Sequence, residues 1–165
     1  VHELLDEVVF LLQRELRECG VKAMRTYDPS IPRFLADRDK LVQVFLNLMR
    51  NAIEAMEAGG ELRIVTRVSH EYPYVSSPDG SRLDPMVCIE VRDTGRGMSE
   101  EVRRRLLTPF YTTKPGGTGL GLTISHAIVQ EHGGTMTITS EEDRGTTVAV
   151  HLPLKRSGGA EAAPK

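Results

Sequence analysis

The sequence has no tryptophan and only two cysteines, Cys19 and Cys88, too few and too far apart for a metal-ligating pattern. That cysteine usage fits a reduced, cytoplasmic protein better than a disulfide scaffold. It also lacks an excess of either charge: Lys and Arg number 21, Asp and Glu 23, and the net charge is -2. Nothing electrostatic therefore points to nucleic acid or an anionic membrane as partner. No apolar run approaches the roughly 18 residues a membrane helix requires. The opening segment, Val1-His2-Glu3-Leu4-Leu5-Asp6-Glu7, is amphipathic and acidic, unlike a signal peptide. It starts in mid-pattern and without Met, as expected of a piece of a longer chain.

What is present is one domain's worth of patterned sequence, 165 residues with 39% apolar. Leu4, Leu5, Val8, Val9, Leu11, Leu12 and Leu16 recur at helical spacing, and Gly20 reads as the stop. Residues 21–28 predict a strand. From about Asp39 to Glu57 comes the strongest helix, with Leu41, Val44, Phe45, Leu48, Met49, Ala52, Ile53 and Met56 on one stripe. Strands follow at 62–67 and 86–92, joined by a long hairpin loop over 71–85 with an Asp79-Gly80 turn signal. Ser99 caps a short helix over 100–107. Residues 108–119 show no periodicity and several Gly and Pro, as expected of a mobile functional loop. A helix over 120–132 and strands over 135–140 and 146–152 complete the domain, which spans 1–154. The tail, 155–165, reads as disordered. Helices and strands mix without regular βαβ alternation, which predicts an α/β sandwich: a mixed sheet of about five strands with three helices on one face.

Three segments carry chemistry. On the long helix, Gln43, Asn47, Arg50, Asn51 and Glu54 form a polar strip beside the apolar stripe. Asn47 and Asn51, one turn apart, are either a solvated helix edge or two amide oxygens offered to one small volume; an amide oxygen suits Mg²⁺. Asp93-Thr94-Gly95-Arg96-Gly97 follows a strand directly. It is either a plain turn or a carboxylate facing a flat heterocycle. An ionised Asp only accepts hydrogen bonds, so it would favour adenine, with its exocyclic amine, over guanine, which offers a carbonyl there. Gly116-Gly117-Thr118-Gly119-Leu120-Gly121 runs into a helix. Glycines admit phosphate oxygens close to the backbone, and free amides at a helix start attract anions. The spacing is neither a dinucleotide fingerprint nor a P-loop. A linker would not pass straight into the apolar pattern Leu122, Ile124, Ala127, Ile128.

Order and spacing of these segments resemble the GHKL ATPase superfamily, which includes histidine kinases, DNA gyrase, MutL and Hsp90. The Asn-rich helix resembles its N box, Asp93-x-Gly95-x-Gly97 its G1 box and Gly117-x-Gly119-x-Gly121 its G2 box. Thr108-Pro109-Phe110-Tyr111-Thr112-Thr113-Lys114 is similar to the F box and lid of sensor histidine kinases. The wording Tyr27-Asp28-Pro29-Ser30-Ile31-Pro32 and Asn47-Leu48-Met49-Arg50-Asn51-Ala52-Ile53-Glu54-Ala55-Met56 is most similar to nitrogen-regulation (NtrB-like) kinases.

The resemblance implies an ATP-binding catalytic domain that phosphorylates a histidine on a separate dimerisation domain absent from this chain. It implies ATP and Mg²⁺ as ligands, a response regulator of NtrC type as the downstream partner, and a homodimeric full-length kinase. Asn51 would hold the metal, with Asn47 near the phosphates and Lys114 reaching the terminal phosphate. Asp93 would take the adenine amine in a pocket shaped by Gly95 and Gly97 and backed by Thr146. Gly117, Thr118, Gly119, Leu120 and Gly121, with Thr113, would line the phosphates, and Phe110 would anchor the lid to the core. ATP-hydrolysing branches of the superfamily carry a Glu general base where this chain has Asn47, so transfer to histidine fits better than hydrolysis. None of His2, His70, His126, His132 and His151 stands in a phosphoacceptor-like context; His2-Glu3 lacks the Pro that would complete one. A nucleotide sensor without catalysis and a gyrase- or MutL-like ATPase are the alternatives.

Overall fold

The computed structural model describes residues 1–56, 59–69, 85–114 and 116–154. The expected hairpin loop over 71–85, apart from Pro85, and the expected tail over 155–165 lie outside the described residues. The chain runs α1 (His2–Leu11), α2 (Gln13–Glu18), β1 (Val21–Thr26), α3 (Arg38–Glu54), β2 (Gly60–Ser69), β3 (Met86–Asp93), α4 (Glu100–Arg105), α5 (Gly121–Glu131), β4 (Thr135–Glu141) and β5 (Gly145–Pro153). The strands form one mixed sheet in the order β1-β2-β3-β5-β4. Only β1 and β2 are parallel; the other neighbours are antiparallel.

Alternation along the strands sends one set of side chains to a single core. Leu62 and Ile64 of β2, Val87, Ile89 and Val91 of β3, and Val150 and Leu152 of β5 meet Leu5 and Val8 of α1, the α3 stripe, and Ile128 and Val129 of α5. Seven of the eight stripe residues lie in α3 and all seven are buried, so the 3.6-residue period orients this helix; Met56, also buried, falls just past its end at Glu54, short of the expected Glu57. Its start is set by Asp37, whose side chain accepts from the Lys40 N–H at 3.1 Å. Three helices, α1, α3 and α5, therefore cover one face of a five-stranded sheet, as expected.

Three local expectations are corrected. The first helix is interrupted at Leu12, whose φ and ψ of -91° and 3° turn the chain so that α2 leans on β1. Leu11, at the break, is 54% exposed rather than in the core. Ile124 on α5 is 42% exposed, because Ile128 and Val129 define the buried face there.

Candidate nucleotide site

The sheet's helical face opens into a pocket of about 690 Å³ between α3, the turn after β3, the start of α5 and residues 111–114 and 117–119. Its volume is that of a small-molecule site. Asn47, Asn51, Asp93, Gly97, Thr113, Lys114, Gly117, Thr118, Gly119, Gly121 and Thr146 all line it. Segments separated by up to a hundred positions in the sequence thus converge on one cavity.

The turn after β3 is held almost entirely by backbone. Asp93 Oδ1 accepts from the Gly95 N–H at 2.9 Å and from the Thr146 N–H at 3.2 Å. Those two bonds leave the carboxylate's other oxygen for a ligand. Burial pushes the Asp93 carboxyl above the usual range, and the two backbone N–H groups offset that in part. Gly95 is buried behind the pocket wall: a side chain there would stand 2.5 Å from the Ala55 carbonyl oxygen at the end of α3. The Arg96 N–H donates to that same carbonyl at 3.1 Å, and the Asp143 N–H donates to the Arg96 carbonyl at 2.8 Å. Gly97 adopts φ 61°, and a Cβ there would overlap the Glu141 carbonyl. Only glycine meets both demands.

A second group of contacts surrounds α3's polar strip. Asn47 Nδ2 donates to Ser125 Oγ at 3.0 Å. Its Oδ1 lies where a Cβ of Gly121 would intrude, so the amide packs directly on the first residue of α5. The residue before that helix, Leu120, provides no side-chain cap, which leaves the helix's first amides available to an anion beside Asn47. Asn51 Oδ1 accepts from Lys114 Nζ at 2.7 Å, and the same ammonium also donates to Glu54.

Whether Mg²⁺ suits these residues follows from the donor set. Asn51 Oδ1 is a hard, neutral oxygen that already receives a cation. Among the described residues no three His, Cys, Asp or Glu side chains cluster as a metal site. A divalent ion here would therefore share its shell with phosphates and water, as Mg²⁺ commonly does.

Not every expected residue reaches the pocket. Gly95 shapes it from behind, and Leu120 sits just before α5 without lining it. Phe110 is a correction: it is 74% exposed, at φ 65°, and anchors nothing on the core. The lid is held instead by polar local contacts, among them the Tyr111 N–H to the Thr108 carbonyl at 3.1 Å and the Arg105 guanidinium 4.2 Å from the Tyr111 ring centre. No histidine among the described residues lines the pocket. His2 stacks on Tyr27 at 4.6 Å with its Nε2 3.0 Å from Thr66 Oγ1.

Several lining residues escape sequence reasoning. Glu142 and Asp143 come from the β4–β5 turn, whose sequence signals only a turn. Ser125 does not line the pocket but is buried behind it against Asn47 and carries no motif; its place one turn after Gly121 is its only signal.

A family model described as histidine kinase-, DNA gyrase B-, and HSP90-like ATPase matches residues 36–156. The chain belongs to this family. A sensory histidine kinase/phosphatase NtrB of Azospirillum brasilense is 36% identical over 155 residues, covering 93% of this chain and 38% of its own length. The chain thus spans well under half of that relative. Among solved structures, the catalytic domain of histidine kinase ThkA superposes with a TM-score of 0.75 at 30% identity, covering 94% of this chain and 95% of that one. ThkA in complex with the response regulator TrrA also matches, at TM-score 0.70 and 28% identity over 94% of this chain and 40% of that one. Full-length ShkA with AMPPNP matches at TM-score 0.76 and 27% identity over 95% of this chain and 30% of that one. The GHKL fold and an ATP-binding pocket are therefore properties of this domain.

Proposed function

We propose that this domain is the catalytic part of a two-component sensor histidine kinase. It binds Mg-ATP and passes the γ-phosphoryl group to a histidine on the dimerisation domain of the same kinase. A response regulator then receives the phosphoryl group on an aspartate. The observation that carries this reading is the convergence of Asn47, Asn51, Asp93 and the glycine run on one cavity.

Asp93 orients the adenine through its free carboxylate oxygen, and Thr146 fixes the carboxylate from behind through its N–H. The uncapped start of α5 and the amides of Thr118, Gly119 and Gly121 receive phosphates, while the Gly117 and Leu120 N–H groups donate to the Lys114 carbonyl and to Thr118 Oγ1. Bound Mg²⁺, held by Asn51, would offset the triphosphate's charge. Asn47 occupies the position from which a carboxylate would activate water, and an amide takes no proton at neutral pH. A neutral imidazole needs no such base, since its nitrogen already carries a lone pair. Catalysis is then mainly positioning and charge neutralisation.

The 36% identity to an NtrB supports placement among nitrogen-regulation kinases with an NtrC-type regulator, and the ThkA–TrrA complex supports a regulator as partner. We place the domain in the cytoplasm as part of a homodimeric kinase. No helix among the described residues is long and apolar enough to cross a membrane.

The test is phosphoryl transfer from labelled ATP. The isolated domain should hydrolyse ATP slowly and should phosphorylate an added dimerisation domain from the same kinase. Asn51→Ala should lose that transfer while remaining folded by circular dichroism. Fast hydrolysis by the isolated wild type, or undiminished transfer by Asn51→Ala, overturns the reading.

A further inference from the structure

Glu54 has no part in the chemistry above, yet it is electrostatically out of place. It is the last residue of α3, where the helix dipole presents partial negative charge, and the last turn contains no basic residue. A carboxylate there is disfavoured unless a cation accompanies it. The cation comes from the lid, sixty positions away: Lys114 Nζ donates to Glu54 Oε2 and, at 2.7 Å, to Asn51 Oδ1. Asn51 and Glu54 are three residues apart, so their side chains share one face of the helix. A single ammonium nitrogen bonded to both shows that the two oxygens converge on one cation-sized point. That point lies on the pocket wall, and one of its two oxygens is the atom assigned above to the metal.

We propose that Asn51 and Glu54 form a cation seat with two successive occupants: the lid's Lys114 in the empty domain, and the divalent metal when nucleotide is bound. Glu54 is the positioning residue. It supplies the one negative charge at the seat, alongside the neutral amide of Asn51, and the helix C-terminus adds to it. Lys114 must leave before the two oxygens can serve a metal. Metal binding and release of the lid from α3 are therefore one event, and Lys114 is freed only when phosphates are present to receive it. This inference rests on the Mg-nucleotide reading of the pocket.

The experiment is calorimetric titration of the domain with ADP, in Mg²⁺ and in EDTA, for the wild type, Glu54→Gln and Lys114→Met. ADP lacks the terminal phosphate that Lys114 is expected to reach. Both substituted side chains are partly exposed, so the fold should survive, and thermal melting checks it. The ratio of affinities with and without Mg²⁺ should fall about fivefold in Glu54→Gln, the size expected from one charge at a partly exposed site. In Lys114→Met the ratio should stay at or above the wild-type value, because a competitor for the seat is gone. In the empty protein, hydrogen exchange of 111–117 should accelerate in both variants, because each breaks the clasp. A wild-type ratio in Glu54→Gln overturns the seat, and so does an equal fall in Lys114→Met. No binding of ADP by the wild type under either condition would instead overturn the nucleotide reading itself.

Discussion

Asp93 and Asn51 line the same pocket but are held in opposite ways. Asp93 is fixed by backbone: two N–H groups bind one oxygen, and the turn that follows is pinned to the end of α3 and to the β4–β5 turn. Asn51 is met by a side chain on a segment without regular structure, and on the proposed reading that side chain moves aside when the metal enters. On the proposed reading, rigid backbone suits the adenine, whose shape and hydrogen-bonding edge never change during the reaction. An exchangeable side-chain contact would suit the phosphates on the same reading, since their charge differs between ATP, ADP and the empty site. Preorganisation serves the first end and conformational freedom the second.

Glycine substitutions break the comparison most severely at the rigid end. Gly97→Ala forces a left-handed backbone on alanine and drives its Cβ into the Glu141 carbonyl. The two costs together should lower stability by about 2–4 kcal/mol, read as a fall in the urea midpoint. Unchanged stability would mean that the turn yields more readily than its contacts indicate.

Asp93→Asn tests the same end more gently. Its Oδ1 can still accept from Gly95 and Thr146, but an NH₂ now faces the adenine amine. Adenine-nucleotide affinity should fall at least tenfold, about 1.4 kcal/mol, by calorimetry, with the preference for ATP over GTP reduced. Burial holds the Asp93 pKa above its ordinary value. A carboxyl raised in this way contributes stability at low pH, and that contribution is lost as pH rises through the folded-state pKa. At neutral pH the empty Asp93→Asn domain should thus melt no lower than the wild type, although it binds nucleotide worse. Nucleotide affinity of the wild type should weaken as pH falls into the range where Asp93 takes up a proton.

Gly116→Ala sharpens the contrast from the other side. Gly116 also has a positive φ, 74°, but no atom lies within 4 Å of where its Cβ would be. Only backbone strain remains, and the lid is not part of the core. Global stability should change by less than about 1 kcal/mol in the same urea titration. A loss as large as that of Gly97→Ala would show that the lid is built as rigidly as the adenine end.

Much of this architecture was legible in the chain. The α3 stripe, the alternating strands and the capped start of α4 at Ser99 follow from periodicity and local chemistry, which act over a few residues. The Asn pair, the Asp-x-Gly-x-Gly turn and the glycine run are likewise local words, and their order points to the pocket they share. Leu12 shows where this legibility ends: it fits the helical pattern and is fully buried, yet the helix breaks there as α2 turns toward β1.

By itself, then, the sequence determined which faces are apolar and which polar groups stand together on α3, because each depends on neighbours within about two helical turns; that Gly95 and Gly97 tolerate no side chain depends on the distant carbonyls of Ala55 and Glu141. The tertiary structure decided the sheet order β1-β2-β3-β5-β4, the exposure of Phe110, the burial of Ser125 against Asn47, and the meeting of Lys114 with Asn51 and Glu54. Those contacts join residues 60 or more positions apart, and their partners are set by the path of the lid and the docking of α5 on α3. No local period encodes that path. It follows from packing the whole chain at once, where every helix face and strand must find its partner in the same small volume.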